Sequence, residues 1–160
     1  MKGHAEHGPG IYLTSSWETA NKYAKGGGAV YRMTVQAPRM WLEKARIQLA
    51  DALAFVRETL GRGKKAQAVI ESINRIVERT GDPLPAFVLV NTFVNNDLTS
   101  GNNGPALATF LIDQGIDASH VRQGSEDWMV VFNPAIIKAV VKLSPKDVGT
   151  AEFPFDLPRL

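Results

Sequence analysis

The chain of 160 residues contains no cysteine. That absence excludes a disulfide scaffold, a thiolate zinc site and a cysteine nucleophile. Histidine is scarce too: three residues with neither HxH nor HExxH spacing, so no metal site is expected. No apolar run approaches the ~20 residues that a helix needs to span a bilayer, which argues against membrane association. The opening stretch, MKGHAEHGPG, lacks an apolar core, so no secretory signal is expected and the default compartment is a cytoplasm. Charge of one sign is missing as well, with 18 basic against 16 acidic residues and a net charge of +2. The densest basic cluster, Arg62, Lys64 and Lys65, sits in a Gly-flanked turn and reads as solvated surface rather than a nucleic-acid stripe. There is no P-loop, and Gly124-Ser125-Glu126 lacks the G-x-S-x-G frame of a serine nucleophile.

What remains is ordinary globular material, 44% apolar and 21% charged, long enough for a single domain over 1–160 with one real core. Gly10-Ile-Tyr-Leu-Thr14 reads as a short strand. Ser15 or Ser16 can cap a short helix from Trp17 to Lys25, stopped by Gly26-Gly27-Gly28. Residues Ala29 to Val35 alternate like a half-buried strand. Residues 39–79 read as a helical hairpin: Leu42, Ala45, Leu49, Leu53, Val56 and Leu60 recur at helical spacing, as do Ala66, Val69, Ile70, Ile73, Ile76 and Val77. The breakers are Gly61-Arg-Gly63 and Gly81-Asp-Pro83. Phe87-Val-Leu-Val90 fits either a strand or a buried helix. Pro105 suits the first position of a helix that ends at Gly115. Met129 to Phe132 reads as a buried strand, Asn133-Pro134 as a turn and Ile136 to Leu143 as a further strand. A tail, 145–160, is too Pro-rich for regular structure and either packs Phe153 and Phe155 against the body or is disordered.

The sharpest local signal is His7-Gly-Pro-Gly10-Ile-Tyr-Leu-Thr-Ser-Ser16, followed by Thr19-Ala20 and Tyr23-Ala24. Its glycines allow close backbone approach, and Tyr12 and Tyr23 offer flat faces to a ring. Free helix-terminal N–H groups suit a phosphate. The competing reading is a purely structural Gly-rich turn before a strand. His120, in Ser119-His-Val-Arg122, either supports the fold or lines a site, and Arg122 reads as surface.

Gly8-Pro9-Gly10-Ile11-Tyr12-Leu13 with Ala20-Asn21-Lys22-Tyr23 resembles the second signature of ADP-ribosyltransferases. Downstream, Leu111-Ile-Asp-Gln-Gly115-Ile116-Asp117 and Glu126-Asp127-Trp128 through Phe132-Asn133-Pro134-x-x-Ile137-Lys138 resemble the approach to, and body of, that family's last core strand. The matches span 8–35 and 107–143 and look most like the domains of polyvalent proteins in phages and mobile elements. The resemblance implies an α+β fold with a small split β-sheet core, into which the 39–79 hairpin is inserted. It implies NAD, with Tyr12 and Tyr23 flanking the nicotinamide. Ser15, Ser16 and Thr19 would supply nearby hydroxyls, and His7, Gly10 and Thr14 would complete the binding set. The implied activity is phage-type mono-ADP-ribosylation of a bacterial host protein in the host cytoplasm.

Two departures shape the expectation. The family's first His/Arg signature has no counterpart among the residues preceding Tyr12, where only His4 and His7 stand. Where many members carry a Glu, five residues before Asn133, this chain has Trp128. Glu126 and Asp127 lie just upstream as the candidate catalytic carboxylates, and a bulge would bring one of them into place. The alternative function is a degenerate member that inhibits a host defence complex by direct contact, as an anti-CRISPR protein does. A third is chemistry like that of RNA 2′-phosphotransferases, with Lys22, Lys25, Arg32 and Arg39 facing RNA. Otherwise nucleic acid is expected only within a ribonucleoprotein target.

Overall fold

A computed structural model describes residues 7–24 and 28–144; Lys25, Gly26, Gly27, His4 and the tail 145–160 lie outside the described residues. The helical spacing read between 49 and 79 produces α2 (Leu49–Leu60) and α3 (Lys64–Thr80), joined at Gly61–Gly63. The helix does not extend back to Leu42 as the periodicity predicts. Leu42 N donates to Ala118 O at 2.9 Å and Ala45 O accepts from Ala86 N at 2.9 Å, so strand-like pairing claims this backbone. Leu42 and Ala45 are buried nonetheless, showing how tertiary pairing overrides a local helical pattern. A two-residue strand, β3 (Arg46–Ile47), pairs with β4 (Leu84–Pro85).

The ambiguous run at 87–90 is helical, within α4 (Ala86–Asn95). Val88, Leu89 and Val90 of this run are buried, as are Thr92 and Phe93, while Phe87 at its start is exposed. The helix α5 (Asn103–Asp113) begins two residues ahead of Pro105 and ends before Gly115. These helices share the main core, where Phe55 of α2 stacks on Phe93 of α4 and Phe110 of α5 with ring centroids 5.5 and 4.4 Å apart. The 39–79 segment therefore builds the principal core instead of decorating it.

The strands form small antiparallel sheets, and the fold is α+β. One sheet has the order β1 (Ile11–Thr14), β6 (Glu126–Val131), β5 (Ala118–Gln123). A second is the two-stranded ribbon of β2 (Val30–Val35) and β7 (Ile137–Leu143). Side chains alternate across a sheet. Tyr12, Val130 and Phe132 face the helical core, while Leu13, Met129, Val131 and Ala118 face a smaller core shared with Met33, Val35 and Trp41.

Asp117 ties these parts together. Its side chain is fully buried and accepts from Arg39 N at 2.7 Å, Arg39 Nη2 at 2.8 Å and Asn133 Nδ2 at 2.8 Å. Its carbonyl accepts from Phe132 N at 2.8 Å. Burial raises the carboxyl's pKa, but the bonds from Arg39 and Asn133 outweigh it and hold it below the usual carboxylate range.

The Asp117→Ala variant is expected to lose about 2–4 kcal/mol, because inward-facing donors of Asn133 and the Arg39 backbone are left unpaired while the exposed guanidinium can resolvate. Because the folded-state pKa is depressed, the ionised carboxylate contributes stability above its unfolded value and loses it as pH falls through the folded one. Urea unfolding at a series of acidic pH values should therefore show a flatter acid limb for Asp117→Asn than for the parent.

Candidate functional site

The turn before β1 is a structural device. Tyr12 Oη donates to Gly8 O at 2.7 Å and accepts from His7 N at 3.1 Å, so the phenol fastens the turn while its ring packs on the helical core. Gly8 has φ of +104°, a conformation that side chains resist. A Cβ on Gly10 would stand 2.5 Å from the Val131 carbonyl oxygen, so glycine here permits the turn to lie against β6. His7 Nε2 lies 2.9 Å from Gln123 Nε2 at the tip of β5.

Beyond β1 the chain enters α1 (Trp17–Tyr23), and of the two candidate caps it is Ser16 that serves: its Oγ accepts from Thr19 N at 3.2 Å. Ser15 is fixed on β6, where its Oγ accepts from Asp127 N at 2.9 Å. Thr14 Oγ1 accepts from Ser16 N at 3.1 Å. The first-turn N–H of Thr19 is thus already satisfied by a side chain.

Side chains from β1, α1 and β6 converge on one carboxylate. Glu126 accepts from Thr19 Oγ1 at 2.6 Å, from Trp128 Nε1 at 3.2 Å and from Thr14 Oγ1 at 3.4 Å. The Thr19 bond, ahead of the Trp128, Thr14 and Ser16 bonds, depresses its pKa against the opposing effect of burial, so the group is firmly anionic. Tyr23 meets Trp128 edge-on with centroids 6.0 Å apart and is 78% exposed. A half-buried anion, two threonine hydroxyls and an open aromatic face are therefore held together by β1, α1 and β6.

The expected bulge is absent from β6. Its pairing with β5 runs in unbroken register from Glu126 to Val131, and with β1 from Trp128 to Val131. None is needed: at a period of two, Glu126 shares the face of Trp128. Asp127 takes the opposite face, where Oδ1 lies 2.9 Å from His120 Nε2. The two candidate carboxylates thus serve different environments.

The remaining candidates fall away from Glu126. Tyr12 pairs with Val130, four residues along β6, a separation of ~13 Å at the rise of a strand. Gly10 lies farther still toward the turn, whereas the His7 ring reaches Gln123, which pairs with Glu126 across β5 and β6. Arg39 is committed to Asp117 and Lys25 lies outside the described residues, leaving exposed Lys22 and Arg32 of the four cations expected to face RNA. His120 is buried beside Trp41, and Glu43 accepts from both Ser119 Oγ and His120 N. Sequence reading missed Glu43 and the indole donor of Trp128; strand alternation alone was the signal for the latter. Among the described residues, no group of acids and histidines is placed to hold a metal, and no helix is long and apolar enough to cross a membrane.

Fold and site together define an α+β domain with a carboxylate–hydroxyl–aromatic cluster where a short helix meets a sheet. No family model, curated protein or solved structure matches the chain.

Replacing Thr19 with valine should raise the Glu126 pKa toward its ordinary value, read by NMR titration of the side-chain carboxyl. Acid sensitivity follows the same sign as for Asp117: the ionised form stabilises above the unfolded pKa and its contribution vanishes as pH falls through the lowered one. Gly10→Ala should cost about 1–3 kcal/mol in thermal or urea unfolding, since the new methyl meets backbone rather than a yielding side chain.

Proposed function

We propose that this protein is an NAD-dependent mono-ADP-ribosyltransferase acting on a bacterial host protein, with Glu126 as its catalytic carboxylate. The observation that carries the reading is the placement of ionised Glu126 on one sheet face with Trp128, within the cluster that includes Thr14, Thr19 and the open ring of Tyr23. The nicotinamide of NAD is a flat, cationic ring. An aromatic face beside an anion is complementary to it on both counts. A carboxylate in this position orients a ribose hydroxyl and stabilises the positive charge that develops at the anomeric carbon as nicotinamide departs. The bond from that carbon to nicotinamide breaks, the target's nucleophile bonds to the same carbon, and the nucleophile's proton passes to solvent. The open face of Tyr23 stacks on the ring in this arrangement, with Trp128 against the Tyr23 ring edge-on and Thr14 and Thr19 holding the carboxylate. Tyr12 supports the site from a distance.

A second reading, a binding protein that inhibits a host defence complex without turnover, draws on the engagement of the hydroxyls at Thr14, Ser15, Ser16 and Thr19 in internal hydrogen bonds.

The test incubates the purified chain with biotinylated NAD and bacterial lysate and blots for labelled proteins. The expected result is a discrete band that Glu126→Gln reduces by about 100-fold or more and that Asp127→Asn leaves in place. Equal labelling by Glu126→Gln would overturn the assignment of the carboxylate. A blank lane beside a stoichiometric complex on gel filtration would establish the second reading instead.

A further inference from the structure

The ribbon of β2 and β7 is buried most deeply at one end, with the Val30–Leu143 pair half-buried at the other. Val35 is buried and Met33 and Ile137 pack on the smaller core, but the run of β7 from Lys138 to Lys142 is exposed throughout. Val140 and Val141 are 53% and 47% exposed, and Tyr31 is 51% exposed. By register, Tyr31, Val140 and Lys142 share one face, and Arg32 and Val141 share the other. Apolar side chains therefore stand open on both faces. Among the described residues, each strand of this two-stranded sheet also has an edge without a neighbouring strand.

Charge along the ribbon has one sign. Arg32, Lys138 and Lys142 are its ionisable side chains apart from Tyr31, and no acidic residue lies in either strand. Lysine on an edge strand ordinarily discourages pairing with other chains. Adjacent exposed valines do the opposite, because they offer apolar area to whatever does pair. Two-stranded ribbons are marginal in water without a covering element. A partner that supplied backbone hydrogen bonds, apolar side chains and negative charge together would meet all three features.

We propose that the β7 edge of this ribbon is a docking site for an extended acidic segment of a partner protein, added as a third strand. Two consecutive side chains of such a segment would lie over Val140 and Val141 on the two faces, with a carboxylate facing Lys142 beside Val140 and the charge of Arg32, one strand further in, adding attraction on the Val141 side. Main-chain bonds supply affinity in strand addition, and side-chain alternation supplies specificity. An acidic peptide fits better than nucleic acid. A phosphodiester chain cannot pair with a strand edge, and three cations with one tyrosine fall short of the basic, aromatic-lined groove that single strands require. The inference is independent of the reaction at Glu126, since none of these residues belongs to that cluster.

The test selects a random-peptide display library against the full chain, then measures the enriched peptides by fluorescence polarisation. The expected result is enrichment of extended sequences with two adjacent apolar residues flanked by acids, with binding weakened at least tenfold by Arg32→Glu/Lys142→Glu and by added salt. The same double variant should prefer sequences in which the acids are replaced by lysine. Thermal melting of the variant checks that it is folded, and biotinylated-NAD labelling of lysate proteins reports separately on Glu126. Failure to enrich such peptides, or binding indifferent to the charge reversals, would overturn the proposal. So would a 20-nucleotide single-stranded RNA that binds more tightly than any selected peptide with the same dependence on Arg32 and Lys142.

Discussion

A buried carboxylate with all its hydrogen bonds made is the constraint on which the sheet depends. Asp117 lies between α5 and β5, and through Arg39, Phe132 and Asn133 it fixes the chain after β2 and the chain after β6. Arg39 also donates through Nη2 to Ile112 O at 3.0 Å, near the end of α5. An ionised group in such a place is tolerable only when its lone pairs are filled, and it then permits one arrangement of its donors. The helical core and the sheet meet in one register as a result. The sequence stretches that resemble a known family's last strand, Gly115-Ile116-Asp117 and Phe132-Asn133-Pro134, owe part of their pattern to this contact, which is architectural rather than chemical.

Strand alternation is the second constraint, and it separates the two adjacent acids. Glu126 and Asp127 are neighbours in sequence, yet a regular β6 gives one to the threonine–aromatic cluster and the other to His120. The same alternation gives β6 its inner half: Val130 and Phe132 pack on the helices, Met129 and Val131 on the smaller core. Polar residues occupy one end of the strand and apolar residues the other. The sheet is thereby clamped near Asp117 and left half-buried at Glu126.

Much of this is legible in the residues. Period-two and period-three-to-four patterns locate β1, β2, β7, α2 and α3, and Ser16 announces the start of α1 through its capping chemistry. Residues 41–47 depart from the helical reading because Leu42 and Ala45 have helical spacing but are buried through backbone pairing with distant segments, which no local pattern encodes. Phe87 to Val90 fits two assignments in sequence because burial of Val88, Leu89 and Val90 on successive sides of the helix, next to an exposed Phe87, leaves no periodicity. At the site, the residue types are visible but their uses are not. Tyr12 carries the motif's most distinctive side chain, and its hydroxyl closes a turn. Trp128 stands where the resembled family carries an acid, and it donates its indole N–H to the acid two residues away.

That last exchange bears on how the cluster would work under the proposed reaction. Glu126 is surrounded by donors, but they differ in kind. The indole of Trp128 is on the same strand and moves with the carboxylate, whereas Thr14 and Thr19 reach it from β1 and α1. A ligand hydroxyl that replaced a threonine donor would exchange one O–H···O bond for another, leaving the carboxylate's charge satisfied throughout. Such like-for-like exchange avoids the main penalty of using a paired anion, which is the cost of unpairing it. The hydroxyl cage is then compatible with catalysis as well as with a resting structure, and the retained indole bond keeps the carboxylate aimed while its other partners change.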